Sequence, residues 1–377
     1  MPRRLPSFDG AMTEPADTFA FGAGADRDWR TAVSACLDQL EASGAAGCRL
    51  GFVYLTDHFS AHASDILTVL RGRTGIDDWV GTTGIGVVAG RRQLFDEPGV
   101  AAMAMAAPRA HYRLLRRAED DIEGIEPWFG VLHADARAPD LPEGVAELAE
   151  RLGGYWVGGI AASRAAWPMI ARGLADTPLS GVALSADIGV RTALSQGCSP
   201  IGPPREINRA EKNVVVELDG QPAFEVFREE AGEVLARNLE RVPGFIFAGL
   251  PVSGADSGDY LVRDITGLDP QHGLVAVAEE VEVGGRLMFC RRDGASAAED
   301  MTRMLDKLER SLDGRRPRGG LYYSCLGRGP NMFDADRTEL DMIAERFGDF
   351  PLTGFFCNGE ISNARLYTYT GVLSLFM

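Results

Sequence analysis

The chain has 377 residues, 45% of them hydrophobic and 24% charged, enough apolar material for a sizeable core and long enough for two domains by default. A net charge of −16 makes nucleic acid and anionic membrane surfaces poor partners. Six scattered cysteines without a CxxC pair read as free thiols of a reducing compartment. No stretch has the apolar length of a signal peptide or a membrane span, so a cytoplasmic protein is expected.

Residues 1–17 are polar and contain prolines, and are expected to be loosely ordered. Residues 18–25 read as a short strand. Asp28 can cap a helix whose Trp29, Ala32, Val33, Cys36, Leu37 and Leu40 share one stripe, and Ser43-Gly44 stops it. A buried strand at 48–55, a helix from Ser60 to about residue 71 and a strand at 78–83 follow. The same order returns as a strand at 128–134, a helix at 142–152 and a strand at 155–159. The stretches DDWVGTTG and GYWVGGIA are alike, as are GVAAMAM from Gly99 and GVALSAD from Gly181. All recur at offsets of about 80 residues, which points to a duplicated βαβ-plus-strand unit.

Residues 181–195 read as two strands, 196–204 as a Gly- and Pro-rich loop, and 214–218 as a strand closed by the Asp219-Gly220 turn. A helix at 222–238 marks the expected boundary between an N-terminal domain, 18–225, and a C-terminal one, 226–377. The second opens with strands at 246–250, 260–265, 274–277 and 286–290. A helix from Asp293 or Ser296 to about residue 312 turns Met301, Met304, Leu305 and Leu308 inward. The fold class expected is α/β: two layered domains, the first with an internal βαβ duplication and the second with a mixed sheet.

The last sixty residues carry the most pointed signal. A short apolar strand at 320–323 runs into Ser324-Cys325-Leu326-Gly327-Arg328-Gly329. A second at 351–356 runs into Cys357-Asn358-Gly359-Glu360. Helical spacing of Leu340, Ile343, Ala344 and Phe347 between them predicts a parallel βαβ unit with both loops on one rim, where ligands of α/β sheets tend to sit. Glycines allow close backbone approach, Arg328 can take a carboxylate and Glu360 an ammonium, so a zwitterion is a natural guest. The expected ligand-binding set is Ser324, Cys325, Gly327, Arg328, Gly329, Asn358, Gly359 and Glu360. The competing reading is a buried Arg–Glu pair that joins two strands.

The stretches GGLYYSCLGRG, PLTGFFCNGEIS and YTYTGVLSLF resemble the C-terminal half of the FIST domain family, and LSQGCSPIGPPREINRAEKNVVVELDGQPAFEVF resembles the end of its N-terminal half. The resemblance runs from about Thr18 to Met377. It implies a bacterial or archaeal sensory module that binds a small ligand such as an amino acid. Having no kinase, receiver or DNA-binding signature of its own, it would signal through a separate protein, such as a histidine kinase or another output protein. Some members of the family are associated with haem, and no axial-ligand motif maps onto a histidine here.

Five further sets of residues each admit a functional and a structural reading. Cys325 could be the nucleophile of a Cys- or Glu-dependent hydrolase, but no histidine lies near it in sequence, and a buried free thiol is the plainer reading. His58 and His62 could share a helix face and serve a haem iron, or be a solvated helix start; they lack a metalloprotease glutamate, and no metal site is expected. Asp57, Thr82, Thr83, Asp135 and Ser163 fall at strand ends. They form a second possible rim site, against the ordinary turn chemistry of such residues. Gln196, Gly197, Cys198 and Arg205, in the loop before the boundary, read either as a pocket wall or as structural closure. One of the arginines at 263, 291 and 292 could also face a pocket.

Overall fold

Three stretches of the chain fold in the same way. In the first, strand Leu50–Thr56 leads through helix Ala63–Thr74 to the parallel strand Asp78–Gly84, and Gly99–Met105 returns antiparallel to the leading strand. In the second, the same order is Phe129–Ala134, helix Leu141–Leu152, Tyr155–Ile160 and Leu179–Leu184. In the third it is Gly319–Cys325, helix Glu339–Phe347, Leu352–Cys357 and Thr370–Phe376. The computed structural model describes residues 18–232, 239, 242–252, 260–333 and 336–377.

A glycine at one position explains how tightly each parallel pair packs. A Cβ on Gly81, Gly158 or Gly354 would lie 1.7, 1.8 and 1.8 Å from the carbonyl oxygens of Val53, Leu132 and Tyr322, their partners on the leading strands. No side chain fits there. Two residues earlier on the same strands stand Trp79, Trp156 and Leu352. They lie over Gly51, Gly130 and Gly320, which leave room for them.

Each repeat completes a six-stranded sheet with a borrowed hairpin. The hairpin Gly86–Ala89/Arg92–Phe95 lies just before the return strand of the first repeat but adds to the third, where Phe355 faces Val87. The hairpin Met169–Ala171/Gly173–Ala175 precedes the return strand of the second repeat and adds to the first, and Glu360–Ser362 precedes that of the third and adds to the second. The three sheets therefore have the same strand order and are cyclically interlocked.

The inner faces of all three sheets share one core, which includes Phe52, Val131, Val157, Leu321, Phe355 and Phe376. Tyr54, His133 and Tyr323 stand at the same position of the three leading strands, and all are fully buried in this core. Tyr54 Oη lies 3.0 Å from His133 Nε2 and 2.9 Å from Tyr323 Oη. The outer faces carry helices: Leu37, Leu40, Ile66 and Leu70 bury against the first sheet, and Val145 and Leu148 against the second.

Contacts divide the chain into two units that no single cut in the sequence separates. The larger takes the described residues up to Ser195, Met301–Leu366 and Thr370–Met377, which hold the three repeats. The smaller takes Gln196–Asp300 and Tyr367–Tyr369. It is a largely antiparallel sheet that includes Arg205–Glu211, Val214–Leu218, Ile246–Pro251, Tyr260–Asp269 and Arg286–Arg291. Helix Ala223–Ala231 packs Phe224 and Phe227 onto Phe289 and Val275.

Several expected elements shift. The helix expected from Ser60 is preceded by a 3-10 turn, Asp57–His62, and runs from Ala63 to Thr74. The helix expected at 222–238 ends at Ala231, where Gly232 takes φ +84°, and residues 233–238 lie outside the described residues. The helix expected at 334–347 starts at Glu339, because Thr338 and Asp341 form a capping box there; residues 334 and 335 lie outside the described residues. The last strand, expected at 367–376, runs from Thr370 to Phe376, Arg365–Tyr367 belongs to a different sheet, and the pair expected at 181–195 splits between two sheets.

Candidate functional site

The parallel register sets Cys325 beside Cys357, so the two motif loops leave the third sheet from one edge. Gly329 has φ +52°, and a Cβ there would fall 2.6 Å from the Phe356 ring, so the turn after Arg328 accepts only glycine. That turn folds the Arg328 side chain inward, where it is fully buried.

The guanidinium has its own acidic partner. Arg328 Nε donates to Glu339 Oε2 at 3.1 Å, and Glu339 Oε1 accepts from Ser324 Oγ at 2.5 Å. Arg328 Nη2 donates to Ser195 Oγ at 3.3 Å, the Phe333 ring lies 5.2 Å away, and Nη1 is buried without a hydrogen-bond partner. Glu339 was not among the residues expected here. At the first position of a helix behind a threonine cap it reads as an ordinary first-turn acid.

Glu360 is also fully buried, beneath the second loop. Its Oε2 accepts from Thr370 N at 3.0 Å and Thr370 Oγ1 at 2.6 Å, and Oε1 lies 3.2 Å from Cys357 Sγ. Burial pushes its pKa from 4.5 to about 8, against those hydrogen bonds and the nearby charge of Arg328, which lower it. The Cys357 thiol is driven well above its ordinary value, first by burial and then by Glu360. It is a protonated hydrogen-bond donor at neutral pH and a poor nucleophile. Cys325 is buried as well, whereas Asn358 is exposed and Leu326 and Gly327 are half-buried at the rim.

Of the second set of strand-end residues, Asp57 and Thr83 meet the 162–164 segment, whereas Thr82 and Asp135 bond elsewhere. Arg164 forks onto Asp57 at 2.7 and 2.9 Å and also reaches Asp96 at 2.7 Å, while Ala162 N donates to Thr83 O. Burial raises the Asp57 pKa, but the Arg164 bonds outweigh it and hold the carboxyl below its usual range. Ser163 Oγ accepts from Ala165 N, Thr82 Oγ1 donates to Pro168 O, and Arg137 forks onto Asp135. Thr83 Oγ1 is buried without a partner.

The five histidines are spread over the chain, each with its own neighbours. His58 lies 3.5 Å from Asp57, and His62 stacks on Trp29 near Asp65. His111 pairs with Asp187, His272 with Asp269, and His133 sits in the core. Among the described residues no group of three or more His, Cys, Asp or Glu is placed to hold a metal ion. In the smaller unit, Gln196 Nε2 donates to Tyr260 O, Arg205 pairs with Glu230, Arg263 with Glu279, Arg291 with Asp293, and Arg292 lies over Tyr369.

Family models match the chain in two blocks, the FIST N domain over residues 49–221 and the FIST C domain over residues 223–363. The chain belongs to the FIST family. FIST domains are sensory domains of signal transduction. The chain is similar to "Uncharacterized protein Rv0628c" of Mycobacterium tuberculosis (strain ATCC 25618 / H37Rv), 30% identical over 359 residues, with 84% of this chain and 88% of the relative covered. It is also similar to "Uncharacterized protein Mb0898c" of Mycobacterium bovis (strain ATCC BAA-935 / AF2122/97), 29% identical over 354 residues, with 84% and 87% covered. The family boundary between residues 221 and 223 leaves two FIST repeats in the N block and the motif strands of the third in the C block. No helix among the described residues is long and apolar enough to cross a membrane.

Proposed function

We propose that this FIST protein senses a small polar metabolite, an amino acid in the first place, at the rim formed by residues 324–329 and 358–360. The observation that carries the reading is the Arg328 guanidinium: fully buried, with Nη1 unsatisfied, on the edge that also holds Glu360. An unsatisfied buried donor costs about 1–3 kcal/mol, which a ligand carboxylate would relieve. Gly327 and Asn358 lie at the entrance. A ligand shifts the protein only by its differential affinity for two states, so occupancy must bias the loop that carries Arg328. The signal then passes to a separate protein, a histidine kinase or another output protein. Six free, buried cysteines support operation in the reducing cytoplasm.

A thermal-shift screen with amino acids and related zwitterions tests this. A ligand at a hundred times its Kd adds about 2.7 kcal/mol of stability. A hit must weaken in Arg328→Lys, which retains the charge but loses the fork, and in Asn358→Ala at the entrance. If no zwitterion shifts the wild type, or both variants respond as it does, the reading is wrong.

A further inference from the structure

A second concave surface lies at the strand-start edge of the first repeat, whereas the motif loops leave the strand ends of the third. A cavity of about 350 Å³ opens there among Asp78, Arg109, Tyr112, Arg113, Arg116 and Arg172. Four guanidinium groups around one hollow are unexpected in a chain of net charge −16.

The protein's own carboxylates do not balance them. Asp78 is almost fully buried and its oxygens are already taken: Oδ1 by Arg172 Nε at 2.9 Å, Oδ2 by Tyr112 Oη at 2.8 Å and Arg109 Nη2 at 3.2 Å. Asp77 lies 3.9 Å from Arg109 but is shared with Arg71 at 3.4 Å. Arg113 is fixed by neutral backbone carbonyls, those of Glu123, Arg109 and Tyr112. Arg116 has no side-chain partner among the described residues, and it is exposed. Like charges gathered in this way repel one another unless an anion joins them.

The backbone also holds one of the four in place at a cost. Arg172 occupies the turn of the hairpin Met169–Ala171/Gly173–Ala175 with φ +66°, in the left-handed region that disfavours an arginine. Its N–H donates to Trp79 O at 2.7 Å, which aims the side chain back at Asp78.

We infer that this cavity binds a phosphate ester through Arg109, Arg113, Arg116 and Arg172. A phosphoryl group carries about two negative charges on one centre at neutral pH and offers several acceptor oxygens to planar arginine forks. A single carboxylate offers half that charge. The volume leaves room for a small organic group beyond the phosphate, against Tyr112 and Leu114.

Inorganic pyrophosphate is the first probe, by isothermal titration at low salt, with citrate as the polycarboxylate comparison. The wild type is expected to bind one pyrophosphate per chain, at least tenfold more tightly than citrate. Arg116→Gln is expected to weaken it at least tenfold without moving the unfolding midpoint, since Arg116 makes no side-chain contact that the fold needs. Arg172→Gln is expected to weaken it as well, and Arg116→Lys to recover part of the loss. Arg328→Lys, in the other loop, is expected to leave pyrophosphate binding unchanged, so this site and the sensor rim fail or hold separately. Absence of saturable binding, equal affinity for citrate, or wild-type affinity in both Gln variants would overturn the assignment.

Discussion

Tyr54 and His133 occupy the same position of two repeats and meet at 3.0 Å in the middle of the core, with Tyr323 of the third repeat on the other side of the Tyr54 hydroxyl. Tyr54 is thus the hub of the contact. Tyr54→Phe strands two buried partners, whereas Tyr323→Phe removes one bond from a hub that keeps another. Each stranded group costs about 1–3 kcal/mol. Urea denaturation should show the larger loss for Tyr54→Phe, and equal losses would contradict the hub arrangement.

The repeated glycine gives a second expectation. Gly158→Ala would drive a methyl group into the backbone of Leu132 at a φ of +152°. The loss belongs at the upper end of overpacking costs, about 3 kcal/mol. Gly72→Ala, inside helix Ala63–Thr74 with nothing within 4 Å of the new methyl, should instead stabilise by about 0.5–1 kcal/mol. Denaturation midpoints that move the same way for both would refute the packing account.

Both members of the Arg328–Glu339 pair are fully buried, so breaking it should cost more than replacing it. Glu339→Gln leaves a buried cation without its counter-charge, a loss of about 3–5 kcal/mol. The double variant Arg328→Met with Glu339→Leu removes both charges and is expected to lose less than the single one. A double variant that is less stable than Glu339→Gln would show that the pair does more than cancel charge.

Glu360 sets a pH dependence of definite sign. Between about pH 4.5 and about pH 8 the unfolded chain releases this proton while the folded chain keeps it. Each step up through that window therefore favours unfolding; below it both states are protonated, and above it both are ionised. His133 acts on the acid side. Burial pulls its pKa from 6.5 down to about 3, so the unfolded chain takes up a proton that the folded chain refuses, and stability falls as pH drops below about 6.5. Comparing wild type with Glu360→Gln at pH 5 and pH 8 isolates the first effect. The variant should gain on the wild type as pH rises, and a constant difference would rule it out.

Sequence periodicity made most of the architecture legible, because strands and amphipathic helices announce themselves locally. The duplication in the first half was visible from WVGTTG and WVGGIA. Its third copy was hidden, since Leu352-Thr353-Gly354 keeps the glycine but not the tryptophan. The glycine is retained because a carbonyl oxygen fills the space a side chain would need; the tryptophan is replaceable by another large apolar group. The strand-end placement of Arg328 and Glu360 followed from topology alone. Their burial did not, because it depends on Glu339, Ser195 and Thr370, which are brought in from other elements. The arginine-lined cavity was illegible for the same reason. Asp78, Arg109, Arg116 and Arg172 belong to separate strands and turns, and each looks like ordinary surface charge in its own neighbourhood.

The exchanged hairpins have a consequence for how the molecule is made. On a ribosome, the Gly86–Phe95 segment emerges long before Leu352–Cys357, the strand it will lie against. Until then it is an unpaired edge awaiting its mate, and edges of that kind invite aggregation. Topology of this sort also makes for slow folding, because distant partners must meet before any contact rewards them. A gene fragment that stops at the end of the N block should therefore yield insoluble material, while a chain that also carries residues 319–376 can close the ring.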